Sequence, residues 1–219
     1  MNALPGAYLT WATSVEPLTS FLRYLVYRRK TGDTAYTRVG RITDRSLTSF
    51  QDYTLASGVS YDYAVTQVSS ASGEEVESAF PTAATASVTI RSTFIHDVAA
   101  PANYVEILAE GQSVSPEQDV AYLQVWGRNQ PTAHVGKRLA NVIEVAGTRS
   151  WLTDSAVWLA IETLQIRQRD NGATLCLRQN RIPRVYGQIA SAGRDDSGVV
   201  RYGLKLRFSE TYFDESVAS

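Results

Sequence analysis

The stretch Leu55–Ser69, LASGVSYDYAVTQVS, constrains the fold of this chain more than any other. Beyond Gly58 its residues alternate between the two sides of an extended strand, with Tyr61, Tyr63 and Val65 on one side and Asp62, Ala64 and Thr66 on the other. A leucine, a glycine turn and a strand-starting tyrosine make up a tyrosine corner, in which the ring is buried and the hydroxyl returns to upstream backbone. An ordinary antiparallel strand rich in tyrosine fits equally well, so the flanking segments decide.

Short alternating segments flank this stretch on both sides. Turn residues separate them at Lys30-Thr31-Gly32-Asp33 and at Ser72-Gly73-Glu74-Glu75. Strands are predicted at 7–11, 21–29, 36–42, 47–53 and, after the second turn, up to residue 80. This spacing is typical of an all-β sandwich.

Residues 4–86 resemble a fibronectin type III domain. The positions that carry the resemblance occur in that family's order and spacing: Trp11, Tyr24, Val26, Leu55, Gly58, Tyr61 and Tyr63. The family's first strand is short or missing, because Trp11 follows so soon after Met1. Either residues 1–8 supply that strand, or it is left as an open edge to which a partner strand can be added.

The small, polar segment 81–87, PTAATAS, predicts a linker, and the domains are placed at 1–86 and 87–219. Beyond the linker the chain is expected to be β-rich. Strands are predicted at 88–97, 104–109, 120–126, 139–145, 174–178, 184–192 and 199–212, with a loop at 111–119 around Pro116 and a hairpin turn at 195–198.

Residues 151–168 fit a helix better than a strand. Val157, Ile161 and Leu164 fall on one helical face, with Trp158 beside them. Thr153 or Asp154 can cap the start, and the sequence Asn171-Gly172 suits the end. The fold class expected is therefore mainly β, with one helix in the second domain.

The second half resembles the β-domain of minor tail or tail-tip proteins of long-tailed bacteriophages. The matching segments are Phe94-Ile95-His96-Asp97 with Pro101, Gly136-Lys137-Arg138 ahead of Leu139–Val145, Leu175–Arg178, Val185–Ile189 and Gly203–Glu210. The resemblance implies a split-barrel-like domain with a flanking helix, which assembles into rings through strand and loop contacts.

The two resemblances together imply a structural virion protein of a phage tail tip or baseplate, assembled in the host cytoplasm. The second domain would form a ring or collar with copies of itself and with other tail proteins. The first domain would project for decoration or for contact with the host surface, including its glycans.

The overall charge balance argues against a general nucleic-acid or membrane-surface binder. The chain has 21 basic and 22 acidic residues and a formal net charge of −1, whereas such binders are usually basic. No sequence-specific nucleic acid partner and no membrane insertion are expected, because no apolar run reaches the length of a membrane helix. The N-terminal residues also lack the basic start and apolar run of a signal peptide.

The residue types that perform catalysis do not occur in catalytic patterns. His96 and His134 lack metal-ligand spacing, and the acidic pairs at 74–75 and 195–196 lie in predicted turns. Cys176, the single cysteine, rules out an intramolecular disulfide and is expected to be a buried, inert thiol. The expectation is a protein without enzymatic activity, metal or cofactor.

A local concentration of arginine is the charged feature of most interest. Arg178, Arg181 and Arg184 follow closely after Arg167 and Arg169. The group fits an ordinary solvated face, a charged surface against a neighbouring subunit, or a lining near passing DNA. The first three arginines are the candidate subunit-interface residues.

A second function remains open, that of a glycan-binding accessory module in a cell-wall or polysaccharide-active system. In that case Trp126, Trp151 and Trp158 would form a platform for sugar rings. A ring-forming protein should oligomerise with buried tryptophans, whereas a sugar binder should be monomeric with exposed ones.

Overall fold

The computed structural model describes residues 3–17, 19–108, 111–123, 132–150, 154–180, 183–195 and 201–215. Within these ranges the chain forms three sheets and one helix, which confirms the prediction of a mainly-β fold. The strands pair in two sets: those before residue 88 pair with one another, and those after residue 92 pair with one another.

The first set forms a sandwich of two sheets. Its strands are β1 (Ala7–Thr10), β2 (Phe21–Lys30), β3 (Thr37–Ile42), β4 (Ser49–Asp52), β5 (Ser60–Ala71), β6 (Glu74–Glu77) and β7 (Ala84–Ser87). β1 and β4 form one sheet, and the other has the order β3-β2-β5-β6, with β7 also paired to β5. Apolar and aromatic side chains from both sheets pack between them, including Ala7 from the small sheet and Tyr63 and Tyr24 from the large one.

The segment predicted as a linker is partly a strand. Residues 84–87 pair with the start of β5, and the Thr85 hydroxyl donates to Asp62 Oδ1 at 3.0 Å. Small residues suggested a linker, but strand pairing uses backbone groups, so small side chains do not prevent it. The pairing runs through Ser87, one residue beyond the predicted boundary.

Residues 3–6 do not supply the missing first strand of the sandwich. Leu4 is buried against Ile90 and Phe94 of the second set, and the Pro5 carbonyl accepts a hydrogen bond from Arg178. In the described part of the chain, β1 pairs only with β4, so its other edge is open.

The second set forms an open sheet with one helix on it. Its elements are β8 (Thr93–Asp97), β9 (Tyr104–Ile107), β10 (Gly111–Leu123), β11 (Thr132–Ser150), α1 (Asp154–Asn171), β12 (Leu175–Arg178), β13 (Val185–Asp195) and β14 (Arg201–Glu210). The strand order is β10-β11-β14-β13-β12-β8-β9, and the two end strands do not pair with each other in the described residues.

The predicted helix is confirmed. Val157, Ile161 and Leu164 are buried in the main core of the second set, and Trp158 packs against that core. The helix ends where expected, at Gly172, which adopts a positive φ of 62° and donates its N–H to the Gln168 carbonyl at 3.1 Å.

The predicted loop at 111–119 is wrong, because these residues belong to β10. Pro116 suggested a loop, since proline has no N–H to donate to a sheet. β10 is an end strand of the sheet, however, and an end strand tolerates proline because one of its edges has no partner.

Candidate functional site

The junction between the two sets of strands contains a buried network of charged groups. Arg28, on β2, donates from Nη1 to Asp52 Oδ2 at 2.6 Å and to Thr54 Oγ1 at 2.8 Å. Tyr63 donates its hydroxyl to the same Asp52 oxygen at 2.8 Å. The guanidinium of Arg28 also pairs with Glu215, which follows β14 in the second set.

Asp52 is held in its charged form by these partners. Burial by itself would raise the pKa of Asp52, but the Arg28 charge and hydrogen bonds from Thr54 and Tyr63 hold it below its usual range. The other oxygen, Oδ1, accepts from the Thr54 N–H at 2.8 Å and from the Thr54 hydroxyl at 2.7 Å. Burial and the neighbouring carboxylate raise the pKa of Tyr63, which therefore stays a donor.

Arg178 and Arg184 project from the second set into the first. Arg178 is 0% exposed, and it donates from Nε to the Leu55 carbonyl at 2.8 Å, from Nη1 to the Pro5 carbonyl at 2.7 Å, and also to the Tyr53 carbonyl. Arg184 donates to the Thr54 carbonyl at 2.6 Å. Burial lowers the pKa of Arg178, yet a guanidinium keeps its charge in proteins.

Glu215 joins the two arginine groups. Its carboxylate pairs with Arg28 of the first set and with Arg184 Nη2 at 2.5 Å, and accepts a hydrogen bond from the Tyr186 hydroxyl. Phe213 packs on the Tyr186 ring with centroids 4.6 Å apart. The segment 211–215 therefore ties β13 to the sandwich.

The arginines grouped in the sequence do not form one exposed face. Arg178 is enclosed within the chain, Arg167 pairs with Asp97 at 2.5 Å, and Arg169 pairs with its neighbour Asp170 at 2.7 Å. Arg181 lies outside the described residues. Arg178 was expected on a surface and is instead buried, because its guanidinium donates to carbonyls of the same chain.

His96 and Asp97 do not act as a pair. The Asp97 carboxylate bonds Arg167 of the helix, whereas the buried His96 ring lies towards Tyr53, with the two ring centroids 6.5 Å apart. Burial lowers the pKa of His96 to about 4, so the ring is neutral at pH 7, and its Nε2 has no hydrogen-bond partner. Adjacent strand residues point to opposite faces, which separates these two side chains.

A cleft of about 350 Å³ opens beside this network. Residues of both sets line it, among them Phe50, Asp52, Tyr53, His96, Tyr186 and Glu215. The carboxylates that face it are paired with arginines, so the cleft is part of a structural ion network. Within the described residues, no group of histidine, cysteine and carboxylate side chains is placed to hold a metal ion.

Cys176 lies on β12 beside this junction and is fully buried. Burial raises the pKa of its thiol to about 12, so it is a protonated and unreactive group at neutral pH.

The residues that carry the sandwich resemblance lie in its interior. Tyr24, Val26, Leu55, Tyr61 and Tyr63 are buried, and Trp11 packs edge-on against Tyr24 with centroids 5.4 Å apart. Gly58 has a φ of 71°, and the Tyr61 hydroxyl accepts from the upstream Ala56 N–H at 3.4 Å. Trp126 and Trp151, of the proposed sugar platform, lie outside the described residues.

Sequence reasoning missed Arg28, Asp52 and Glu215. Arg28 lies in a strand whose residues alternate between its two faces. This alternation is the same whether the arginine is buried or exposed, so it does not reveal that Arg28 is buried. Glu215 lies 187 positions from Arg28 in the chain, and no local signal joins them.

Comparison with known proteins gives weak structural likenesses. No protein-family model matches the chain, and no curated protein matches it. Two solved structures are similar over 56% of this chain and 92% of theirs, at 12% identity and a TM-score of 0.34. They are described as the virion of a native gene transfer agent (GTA) particle and the tail of an empty GTA particle computed with helical refinement and C6 symmetry. A TM-score this low supports no inference about function.

The helix that the structure describes is not long and apolar enough to cross a membrane.

Proposed function

We propose that this chain is a structural component of a bacteriophage tail tip or baseplate, with domains at 1–86 and 87–219. The second domain forms a ring or collar with further copies and with other tail proteins. The first domain projects from that ring. The observation that supports the proposal is that most of the tail-protein-like segments named above lie in one sheet. The strands that contain them are adjacent there: β8, β11, β12, β13 and β14.

The shape of that sheet suits assembly through its edges. β10 and β11 form a long hairpin, with 13 and 19 residues in the two strands, and β10 ends the sheet on one side. An open edge presents unpaired backbone groups that a neighbouring subunit can pair with. Repeated head-to-tail contacts of this kind close into a ring when the rotation between subunits permits.

The first domain carries an exposed aromatic cluster suited to contact with a host surface. Phe80 is 51% exposed and stacks on Tyr36 with centroids 5.0 Å apart, while its other neighbour, Tyr27, meets it edge-on at the same distance. Arg29 lies over the Tyr36 ring at 4.5 Å. Aromatic rings beside arginine are recurrent features of binding surfaces. This cluster is also the observation that favours glycan binding.

Mass photometry over a protein concentration series, at low and high salt, tests ring formation. A discrete species of ring size is the expected result. Because partner proteins can template a tail ring, the series is repeated in the presence of candidate tail proteins. A strict monomer in both series would contradict the proposal.

A glycan array tests the host-contact role separately. Binding that is lost in Phe80→Ser and retained in Val76→Ser, an exposed apolar residue outside the cluster, would support a sugar-binding surface. Binding that both variants retain would contradict it.

A further inference from the structure

The open side of the first sandwich lacks the features that normally protect a free strand edge. β1 pairs with β4 on one side only, and residues 7–15, AYLTWATSV, contain no charge and no proline. Natural edge strands usually carry charges, prolines or bulges that prevent pairing with another chain.

The edge strands β3, β6 and β9 carry such features. β3 has Arg38 and Arg41, β6 has three glutamates, and β9 has Glu106. β4 carries Asp52 pointing inwards. β7 is uncharged too, but it borders the same groove as β1, on the opposite side.

This groove, of about 430 Å³, lies between the uncharged strands β1 and β7. Leu9 and Trp11 line it on the β1 side, Pro81 and Ala84 on the other, and Val65 at its floor. The indole N–H of Trp11 is buried and has no hydrogen-bond partner. The groove thus combines apolar walls with an unmatched donor.

Residues 3–6 do not fill the groove. Leu4 is buried against Ile90 and Phe94, and the Pro5 carbonyl is bonded to Arg178. Gly6 holds this path close to β4, since a Cβ there would lie 2.7 Å from the Asp52 carbonyl oxygen. Residues 3–6 therefore leave the open edge of β1 uncovered.

We propose that this edge is a self-association surface, at which β1 pairs antiparallel with β1 of a second copy. The twofold axis of such a pair is perpendicular to the sheet, so both sandwiches lie on the same side of one continuous sheet, β4-β1-β1-β4. Their two grooves then face each other and close into one apolar interface. An uncharged strand meets no like-charge repulsion from its own copy, and the second strand offers carbonyls to the Trp11 donor.

The inference is independent of the ring proposal, because it concerns the first sandwich alone. Since Ala7 and Leu9 of both copies face their cores, Tyr8 must oppose Tyr8 or Thr10 of the second copy. Tyr8 is 67% exposed, so charges placed there test the pairing without disturbing the core.

Native mass spectrometry on charge variants tests the pairing. The wild-type chain is expected to form dimers, or even-numbered assemblies of them. Tyr8→Lys and Tyr8→Glu are each expected to weaken association by roughly tenfold, because the two like charges then lie directly opposite or diagonal to each other across the strand pair. An equimolar mixture of the two should restore association and give mixed pairs. Val15→Lys, 95% exposed in the following loop, should associate as the wild type does.

Three results would overturn the inference: a wild-type chain without pairs at any concentration, pairs that persist in both Tyr8 variants, or a mixture that forms no mixed pairs. Rings that form without β1–β1 dimers would contradict the β1 pairing and leave the ring proposal intact. Dimers that form without rings would support the β1 pairing and contradict the ring proposal.

Discussion

Arg178 brings a permanent positive charge into a site that water does not reach. Its three bonds go to backbone carbonyls of the first sandwich, and its Nη2 has no partner in the structure. Carbonyl dipoles therefore solvate the charge, and each of those carbonyls depends on the guanidinium in return. The fork of donors on one planar group allows one side chain to bond three separate carbonyls.

Arg178→Met is therefore expected to destabilise the protein. The methionine retains apolar volume but leaves the buried Leu55 carbonyl and the half-buried Pro5 and Tyr53 carbonyls without that donor, which costs about 2–4 kcal/mol of unfolding free energy. Urea denaturation followed by fluorescence measures it. Arg169→Met, at an exposed arginine, is the matched control and should leave the midpoint unchanged. Equal effects of the two substitutions would contradict the structural role.

His96 makes the stability of the protein depend on pH. Its pKa is lowered to about 4 by burial, whereas an unfolded histidine has a pKa of about 6.5. Between these values the unfolded chain binds a proton that the folded chain does not. The contribution is therefore fully present above about pH 6.5 and is lost as the pH falls towards 4.

His96→Phe is expected to flatten this dependence. The wild type should lose on the order of 3 kcal/mol between pH 7 and pH 4 through this residue, and the variant should lose correspondingly less. Thermal or urea unfolding at a series of pH values measures the two profiles. Parallel profiles over that range would show that His96 is not the group responsible.

At the scale of elements, Gly187 is the most tightly enclosed of the described glycines of the second sheet, at the pairing of β13 with β14. A Cβ at Gly187 would lie 2.0 Å from the Ser209 carbonyl oxygen and 2.9 Å from the Phe208 ring. Only glycine leaves room for this pairing, which also positions Tyr186 and the segment that carries Glu215. Further along the same strand, at Gly193, the nearest atom to a Cβ is 4.0 Å away.

Gly187→Ala and Gly193→Ala form a matched pair of variants on one strand. Gly187→Ala must shift backbone and is expected to cost at least about 2 kcal/mol, by analogy with overpacked cores. Gly193→Ala meets no close atom and should be near neutral. Chemical denaturation of both variants measures the difference. If Gly187→Ala were as stable as Gly193→Ala, the β13–β14 contact would be looser than the structure has it.

At the scale of the whole molecule, an ion pair joins the two sets of strands. Arg28 belongs to the first set and Glu215 to the second, and both are largely removed from solvent. Buried pairs of this kind fix a geometry more than they add net stability, because desolvation offsets much of the attraction. We therefore expect the pair to set the orientation of the sandwich on the second sheet.

A double-mutant cycle on Arg28→Gln and Glu215→Gln measures this coupling. Because each residue lies in a different set, a coupling free energy of about 1–3 kcal/mol would show that the pair stabilises the contact between the two sets. The same cycle on Arg23 and Glu75, an exposed pair within the first sandwich, should give no measurable coupling. Equal coupling free energies in the two cycles would contradict a specific role of the Arg28–Glu215 pair at the junction.

Most of the local structure was predictable because its signals are local. The alternation around Tyr61 predicted a buried strand, the spacing of Val157, Ile161 and Leu164 predicted one helical face, and Gly172 predicted where the helix ends. Two local predictions failed for a related reason. Small residues at 84–87 and Pro116 in β10 are compatible with strands at particular places in a sheet, and sequence does not reveal those places.

The sequence by itself determined the periodicities, and with them the strands, the helix and most of the core, because burying one face of a strand or helix requires a regular pattern of apolar residues. Only the tertiary structure decided where the charges lie. Arg178, expected on a surface, is enclosed by carbonyls of the sandwich, and Arg28 meets a carboxylate 187 positions away. The sequence does not distinguish a charged side chain in water from one that is buried against a distant part of the chain. Desolvation and ion pairing of these residues arise only when the two sets of strands pack together.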